Sequence, residues 1–594
     1  MKFYSALVSI ILTLGFFFTV AQDTHAISKF STTYNVYYTV NPNGSTHVIF
    51  NITQKNNLSV VYAIEYSLSV NQTRIQNVKV IDENVYLNPE IIKSKNQTAI
   101  NFSFANKIVG KDKDHRFTIE YDTEDIATKF GNTWQINIPK LEVDENIVDQ
   151  NIILTVPNTF PQPAYVSPNP TTANANVYYF SGNTISNKTV SAVFGQSQYF
   201  RANLSYHLQN DDNITVKQKV ALPPATSYQK IYLEKIQPEP LSITTDEDGN
   251  LLAEYQLDSH TSLDITVSEV IKLNFNPEHQ ELSDPRKYLS NNKIWDYESD
   301  LFTIPEMKSL ITPKSIYDFV SDKLNYDYQK IYQPKNTVSA SESYKNAASA
   351  ICTDFSNLFV TLARKANIPA REIQGYAFSE NPDLKPISLT QDVLHSWPEY
   401  YDQTRQTWIQ VDPTWAKTTH GVDYFNKLDL NHIAFVIHGS DINYPVPAGG
   451  YKKNTDKEKN VNITPIDEID FPNPKISLIN IENKDQKLVA IIKNITGVSY
   501  QGTIQVLDSP YYDHQTQKTT LGPLNQTKIY FDLKNNPLLI PKSIKAIIYL
   551  NGEPVETSIV LNPQIPTAVL LASGSVFLGC LTLIARYLYL RRRP

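Results

Sequence analysis

Cysteine is nearly missing from this chain of 594 residues: there are two, Cys352 and Cys580. A disulfide-stapled architecture is therefore excluded. Cys580 lies in a C-terminal apolar segment, so the region before it holds one thiol with no intrachain partner. Glycine is scarce at 18 while tyrosine is abundant at 36, a balance that suits sheet-rich domains. Positive charge is in deficit. With 53 Lys and Arg against 60 Asp and Glu, the net charge is −7, and the chain carries no basic footprint for nucleic acid. Apolar residues are in good supply at 41%, which excludes a disordered polar chain, and the length predicts several domains.

The single thiol sits in an informative stretch, from Tyr344 to Arg371. Ile351, Phe355, Leu358, Phe359, Leu362, Ala363 and Ala366 recur at helical spacing, which predicts a helix packed on a core. Ser349 is the expected N-cap, and Asn367 with Pro369 ends the helix. Cys352 then falls in the first turn, where unpaired N–H groups and the helix dipole favour a thiolate. Downstream, His395 opens one strand-like run. Asp412 closes a second, after a turn at Gln403–Gln406. An antiparallel hairpin brings the two ends side by side. Cys on a helix N-terminus, with His and Asp on a facing hairpin, is a nucleophile–base–orienter pattern.

Asp354-Phe355 after the Cys, Asn367-Ile368-Pro369-Ala370-Arg371, Gly375-Tyr376, His395-Ser396-Trp397 and Val411-Asp412-Pro413-Thr414 resemble the core motifs of the transglutaminase-like superfamily. The resemblance covers about residues 285–440. It implies a papain-like fold and a catalytic triad of Cys352, His395 and Asp412. It also implies amide chemistry on protein or peptide substrates, with peptidase, amidase and protein-glutamine acyltransferase left open. A non-catalytic surface module with a degenerate domain of this kind is the alternative. No cofactor and no metal are expected. His420, His432 and His438 lack an i, i+4 pair or companion cysteines, and they read as surface or core histidines.

The remaining chain falls into segments. Residues 1–26 read as a secretory signal peptide: Lys2, an apolar run from Ala6 to Val20, then small residues. Residues 27–198 alternate as β-strands, with a hairpin turn at Asn41–Gly44. Residues 199–276 form a second β region, in which Asp246–Asn250 is a hairpin turn rather than a calcium loop. Residues 446–472 read as a linker, and 473–562 as a C-terminal β-sandwich. The last segment, 566–590, is uncharged from Thr567 to Ala585 and is followed by Arg586, Arg591, Arg592 and Arg593. It predicts one transmembrane helix with a cytoplasmic C-terminus. The expectation is thus an α+β multidomain protein, membrane-anchored and extracytoplasmic, on a bacterial cell surface. Its anticipated partners are the membrane and a protein or peptide substrate, with cell-envelope material one candidate.

Overall fold

A computed structural model describes residues 28–591, apart from 141–145, 186–187, 283, 333–337, 379–394, 420–421, 427, 453–458, 485–486, 535–540 and 562–566. The signal-peptide segment and His420 lie outside the described residues. The chain divides into two compact units.

The first unit spans residues 1–128, 136–160 and 166–191. Phe30–Val40 and Thr46–Asn56 form the hairpin that the alternation predicts, with Tyr34↔Ile52 and Val40↔Thr46 in register. Thr32, Tyr34, Val36, Tyr38 and Val40 all point inward along one face. This hairpin is the centre of an eight-stranded sheet, and Phe30–Val40 also pairs parallel to Ile147–Thr155. A three-stranded sheet of Glu65–Val70, Thr98–Ser103 and Glu90–Lys93 accompanies it.

The second unit holds residues 129–135, 161–165 and 192–594. Its first part is a pair of antiparallel sheets. One runs Gln229–Gln237, Thr261–Asn274, Ser197–Asn210, Val461–Ile466; the other runs Val216–Leu222, Leu251–Leu257, Ser242–Thr245. Val461–Ile466 comes from the stretch read as a linker. Val461 and Ile463 are buried and Asn462 and Thr464 exposed, the period-two pattern of a strand. The preceding charged run hides that pattern in the sequence. Asp246–Asn250 does turn a hairpin, between Thr245 and its partner Leu251, with Gly249 at φ +97°.

The thiol-bearing region follows. A four-stranded antiparallel sheet runs Thr407–Gln410, His395–Asp402, Ala370–Ala377, His432–His438. The Cys352–Lys365 helix packs on it, burying Phe355, Leu358, Phe359, Leu362 and Ala363. Trp295, with no role assignable from sequence, donates from its indole to Asn357 of that helix at 3.2 Å and carries the Arg364 guanidinium over its ring. Two further sheets, of three and four strands between Ile476 and Leu561, enclose the C-terminal core of Leu488, Ile504, Phe531 and Ile548.

Two expectations are corrected. The chain is not of α+β class: it is mostly β, 48% strand against 13% helix. Helix is concentrated around the thiol, and the β segments expected on either side of it make up far more of the chain. The transmembrane helix is also not borne out. Among the described residues no helix is long and apolar enough to cross a membrane. A helix does span Thr567–Leu590, but its side chains are described only from Leu578 onward. In sequence its uncharged run ends at Ala585, before Arg586.

Candidate active site

The helix begins at Cys352 itself, with Ile351 as N-cap in extended conformation (φ −121°, ψ 176°). Ser349 is not the cap; its hydroxyl donates to Asp327 at 2.6 Å instead. Buried Asp354 does the capping work. Its Oδ2 accepts from the Ile351 N–H at 2.8 Å and from Lys330 Nζ at 2.8 Å, and its Oδ1 from the Ser343 hydroxyl at 2.8 Å. Cys352 therefore sits at the first helical position, where its own N–H has no intrahelical acceptor.

His395 stands opposite Gly375 across the sheet, at the start of its strand. A Cβ on Gly375 would meet the Ile433 carbonyl oxygen at 1.9 Å, so only glycine allows the flanking strand to come this close. The imidazole is buried and stacks with Trp415, ring centroids 5.0 Å apart. Its Nε2 lies 3.0 Å from Asp412 Oδ2. Nε2–H therefore donates to the carboxylate, and Nδ1 is left as the basic nitrogen. Nδ1 has no aligned hydrogen bond among the described residues. The Cys352 thiol is nonetheless close enough to favour the imidazolium. Burial opposes that charge, but the Asp412 charge and hydrogen bond, aided by Cys352, outweigh it and push His395 up to about 10.

Asp412 is fully buried and caps the short Pro413–Thr418 helix. Its Oδ1 accepts from the N–H groups of Thr414 (2.9 Å) and Trp415 (3.0 Å). Burial alone would raise its pKa. The His395 charge and hydrogen bond, joined by His432, reverse this and hold the carboxyl well below the usual range. His395 and Asp412 are thus directly bonded, and the Cys352 thiol acts on the charge of His395.

The structure also gives polar partners to His432 and His438, which the sequence offered only as surface or core histidines. His432, at the edge of the last strand, reaches Asp412 Oδ2 with Nε2 at 3.2 Å and Asp429 Oδ1 with Nδ1 at 2.8 Å. His438, at the other end of that strand, pairs through Nδ1 with Glu372 at 3.0 Å and through Nε2 with the Pro445 carbonyl at 3.0 Å. Burial disfavours its charge, but Glu372 prevails and raises its pKa. Glu372 also accepts from the Ser396 hydroxyl at 2.6 Å, tying this ion pair to the residue after His395. The strand bearing both histidines is braced from the β-sandwich. The Gln229 amide bonds Ala434 N–H and C=O at 3.0 and 2.9 Å, and the Asn250 amide bonds Ile437 N–H and C=O at 2.7 and 2.8 Å.

His395, Asp412 and His432 are the group among the described residues whose ligand atoms, within 4.8 Å of one another, have the chemistry to hold a metal. At 3.0 and 3.2 Å, however, their nitrogens and the shared oxygen are already satisfied as direct hydrogen bonds. We read the cluster as a proton-bearing one.

Residues 302–413 match the transglutaminase-like superfamily. An uncharacterized protein, YebA, of Bacillus subtilis is 30% identical over 108 residues, 17% of this chain and 14% of that protein. The protein-glutamine gamma-glutamyltransferase of Pseudomonas aeruginosa is 37% identical over 68 residues, 11% of this chain and 10% of that protein. The matched stretch thus spans only a small part of either relative. The periplasmic domain of TgpA from Pseudomonas aeruginosa is 15% identical, covering 38% of this chain and 92% of its own at a TM-score of 0.21, too low to carry an argument. The match closes at Pro413, one residue past Asp412, so His432 and Asp429 lie beyond it. What residues 302–413 form is a transglutaminase-like domain.

Proposed function

We propose that this domain performs cysteine-dependent acyl transfer or hydrolysis at amide bonds, with Cys352 as nucleophile, His395 as base and acid, and Asp412 as the positioning residue. The observation that carries the reading is the buried His395 Nε2–Asp412 Oδ2 bond, which leaves Nδ1 as the basic nitrogen beside the only thiol ahead of the C-terminal helix. In this mechanism Nδ1 takes the thiol proton, and the sulfur attacks the amide carbonyl carbon. The oxyanion is met by the Cys352 N–H at the helix N-terminus. The C–N bond breaks as Nδ1–H passes its proton to the leaving amine, and a thioester remains. Water then gives an acid, and a second amine gives a new amide; His395 takes the proton of either. The name of the Pseudomonas aeruginosa relative supports a protein glutamine side chain as acyl donor. An extracytoplasmic site of action, on proteins or peptides, is part of the proposal and rests on the signal-like N-terminus.

A second reading is a non-catalytic module. It is favoured by the burial of Cys352, 8% exposed, and His395, 1% exposed. Iodoacetamide labelling with peptide-level mass spectrometry separates the two. The enzyme reading expects Cys352 to label well below the pH of an ordinary thiol, and Cys352→Ala to lose all release of ammonia or peptide from glutamine-containing proteins. An inert Cys352 thiol across the whole pH range favours the module.

A further inference from the structure

We propose that His432, seated on Asp429, is a second positioning residue of this site. It donates to the same Asp412 oxygen that His395 uses, and so limits how tightly Asp412 holds His395 protonated. The inference rests on the triad reading above and concerns two residues outside the superfamily match.

The argument is a count of protons. His432 places Nδ1 at 2.8 Å from Asp429 Oδ1 and Nε2 at 3.2 Å from Asp412 Oδ2, and its side chain is 1% exposed. A neutral imidazole has one N–H and cannot donate to both carboxylates. One further proton is required, on the ring or on Asp429, and in either arrangement Nε2 keeps an N–H aimed at Asp412. Asp412 stays ionised, because the Thr414 and Trp415 N–H groups and His395 Nε2 already point at it. The groups facing His432 among the described residues are Asp412, Asp429, the His395 ring at 5.5 Å and Tyr424 at 6.4 Å, with Trp397 and Trp415 packed on it.

Two donors on one carboxylate oxygen divide its charge. A second imidazole beside His395 also opposes a positive charge on His395. Without His432, Asp412 would hold the His395 proton more strongly. The thiolate would persist to lower pH, but the imidazolium would be slower to release its proton to the leaving amine. The inference therefore expects alkylation and turnover to move in opposite directions. A purely structural role would depress both.

The test uses full-length wild type, the double variant His432→Phe with Asp429→Asn, and Asp429→Asn alone. The double change keeps a ring and leaves no unpaired carboxylate. Asp429→Asn alone keeps the imidazole and decides the matter if the double variant does not fold. Iodoacetamide alkylation of Cys352 is followed between about pH 4 and 10, with the Cys580 peptide counted separately. The acid edge is expected to move down by about half to one pH unit in the double variant and by less in Asp429→Asn, while turnover at neutral pH falls. An acid edge that is unchanged or moves up, with the thermal midpoint showing an intact fold, overturns the proposal. Wild-type Cys352 that reacts only like a free thiol, near about pH 8.5, overturns the triad reading instead.

Discussion

Asp412 and Glu269 are both fully buried acids within the same unit, and their surroundings could hardly differ more. Asp412 accepts four N–H groups, two from a helix N-terminus and two from imidazoles. Glu269 lies on the Thr261–Asn274 strand of the β-sandwich, and neither carboxyl oxygen has a partner among the described residues. The first is held well below the usual carboxylate range despite its burial. The second is pushed up to about 8 by burial alone. Depth therefore does not decide charge; the donors do. One region spends its fold on keeping an anion, and the other keeps a neutral acid.

Arg371 and Glu399 offer the strongest way to break this contrast. The guanidinium contacts Glu399 through Nε at 2.7 Å and stacks over Trp408 at 4.0 Å, with both side chains 1% exposed. Arg371→Met removes the cation and makes Glu399 a second Glu269. We expect a loss of about 3–5 kcal/mol in urea unfolding at neutral pH. A loss below about 1 kcal/mol would show that the pair contributes little.

Asp412→Asn comes next. It leaves an amide beside the two imidazoles, favours the wrong His395 tautomer and withdraws the stabilising charge. Turnover should fall about ten- to a thousand-fold, less than in a serine triad because a thiol needs less help from its base. Full activity with an unchanged thermal midpoint would reduce Asp412 to a helix cap. The acid limb of stability should change as well. A depressed carboxyl stabilises above its ordinary value of 3.8, and that contribution is lost as pH falls below it. Asp412→Asn should therefore flatten the acid limb.

The smallest expected effect has the opposite sign. For Glu269 the folded value, about 8, lies above the ordinary 4.5. Its contribution is complete below pH 4.5 and declines as pH rises towards 8. Glu269→Leu should raise stability by about 1–3 kcal/mol at neutral pH and remove part of the alkaline decline. His395, also raised, contributes a decline between 6.5 and about 10 that should survive in this variant. A destabilised Glu269→Leu would mean that the carboxyl has a use that its orphaned oxygens do not reveal.

The apolar stripe from Ile351 to Ala366 determined a helix, and the alternation from Thr407 to Asp412 determined a strand, because local periodicity is written in neighbouring residues. The order of Cys352, His395 and Asp412 followed from motifs lying within about sixty residues. The start of the helix was legible only to within a turn: Asp354, gathered by Ser343 and Lys330, decided the cap in place of Ser349. The β segments were legible as period-two alternation; the class was misread because a helix-bearing domain and a terminal helix were set on a par with them, while strand outweighs helix over the chain.

What the chain could state alone was the thiol, its candidate partners in order, and the strand patterns that carry them. Tertiary structure alone decided the charge of each buried group. His432 has no local pattern that separates it from a core histidine. It acquires meaning because Gly375 lets its strand lie against the one facing His395, and because Gln229, 205 positions before Ala434, braces that strand from another sheet. A sequence names which groups can ionise; the free energy of ionising them depends on donors, charges and water within a few ångströms, and only the fold sets those distances.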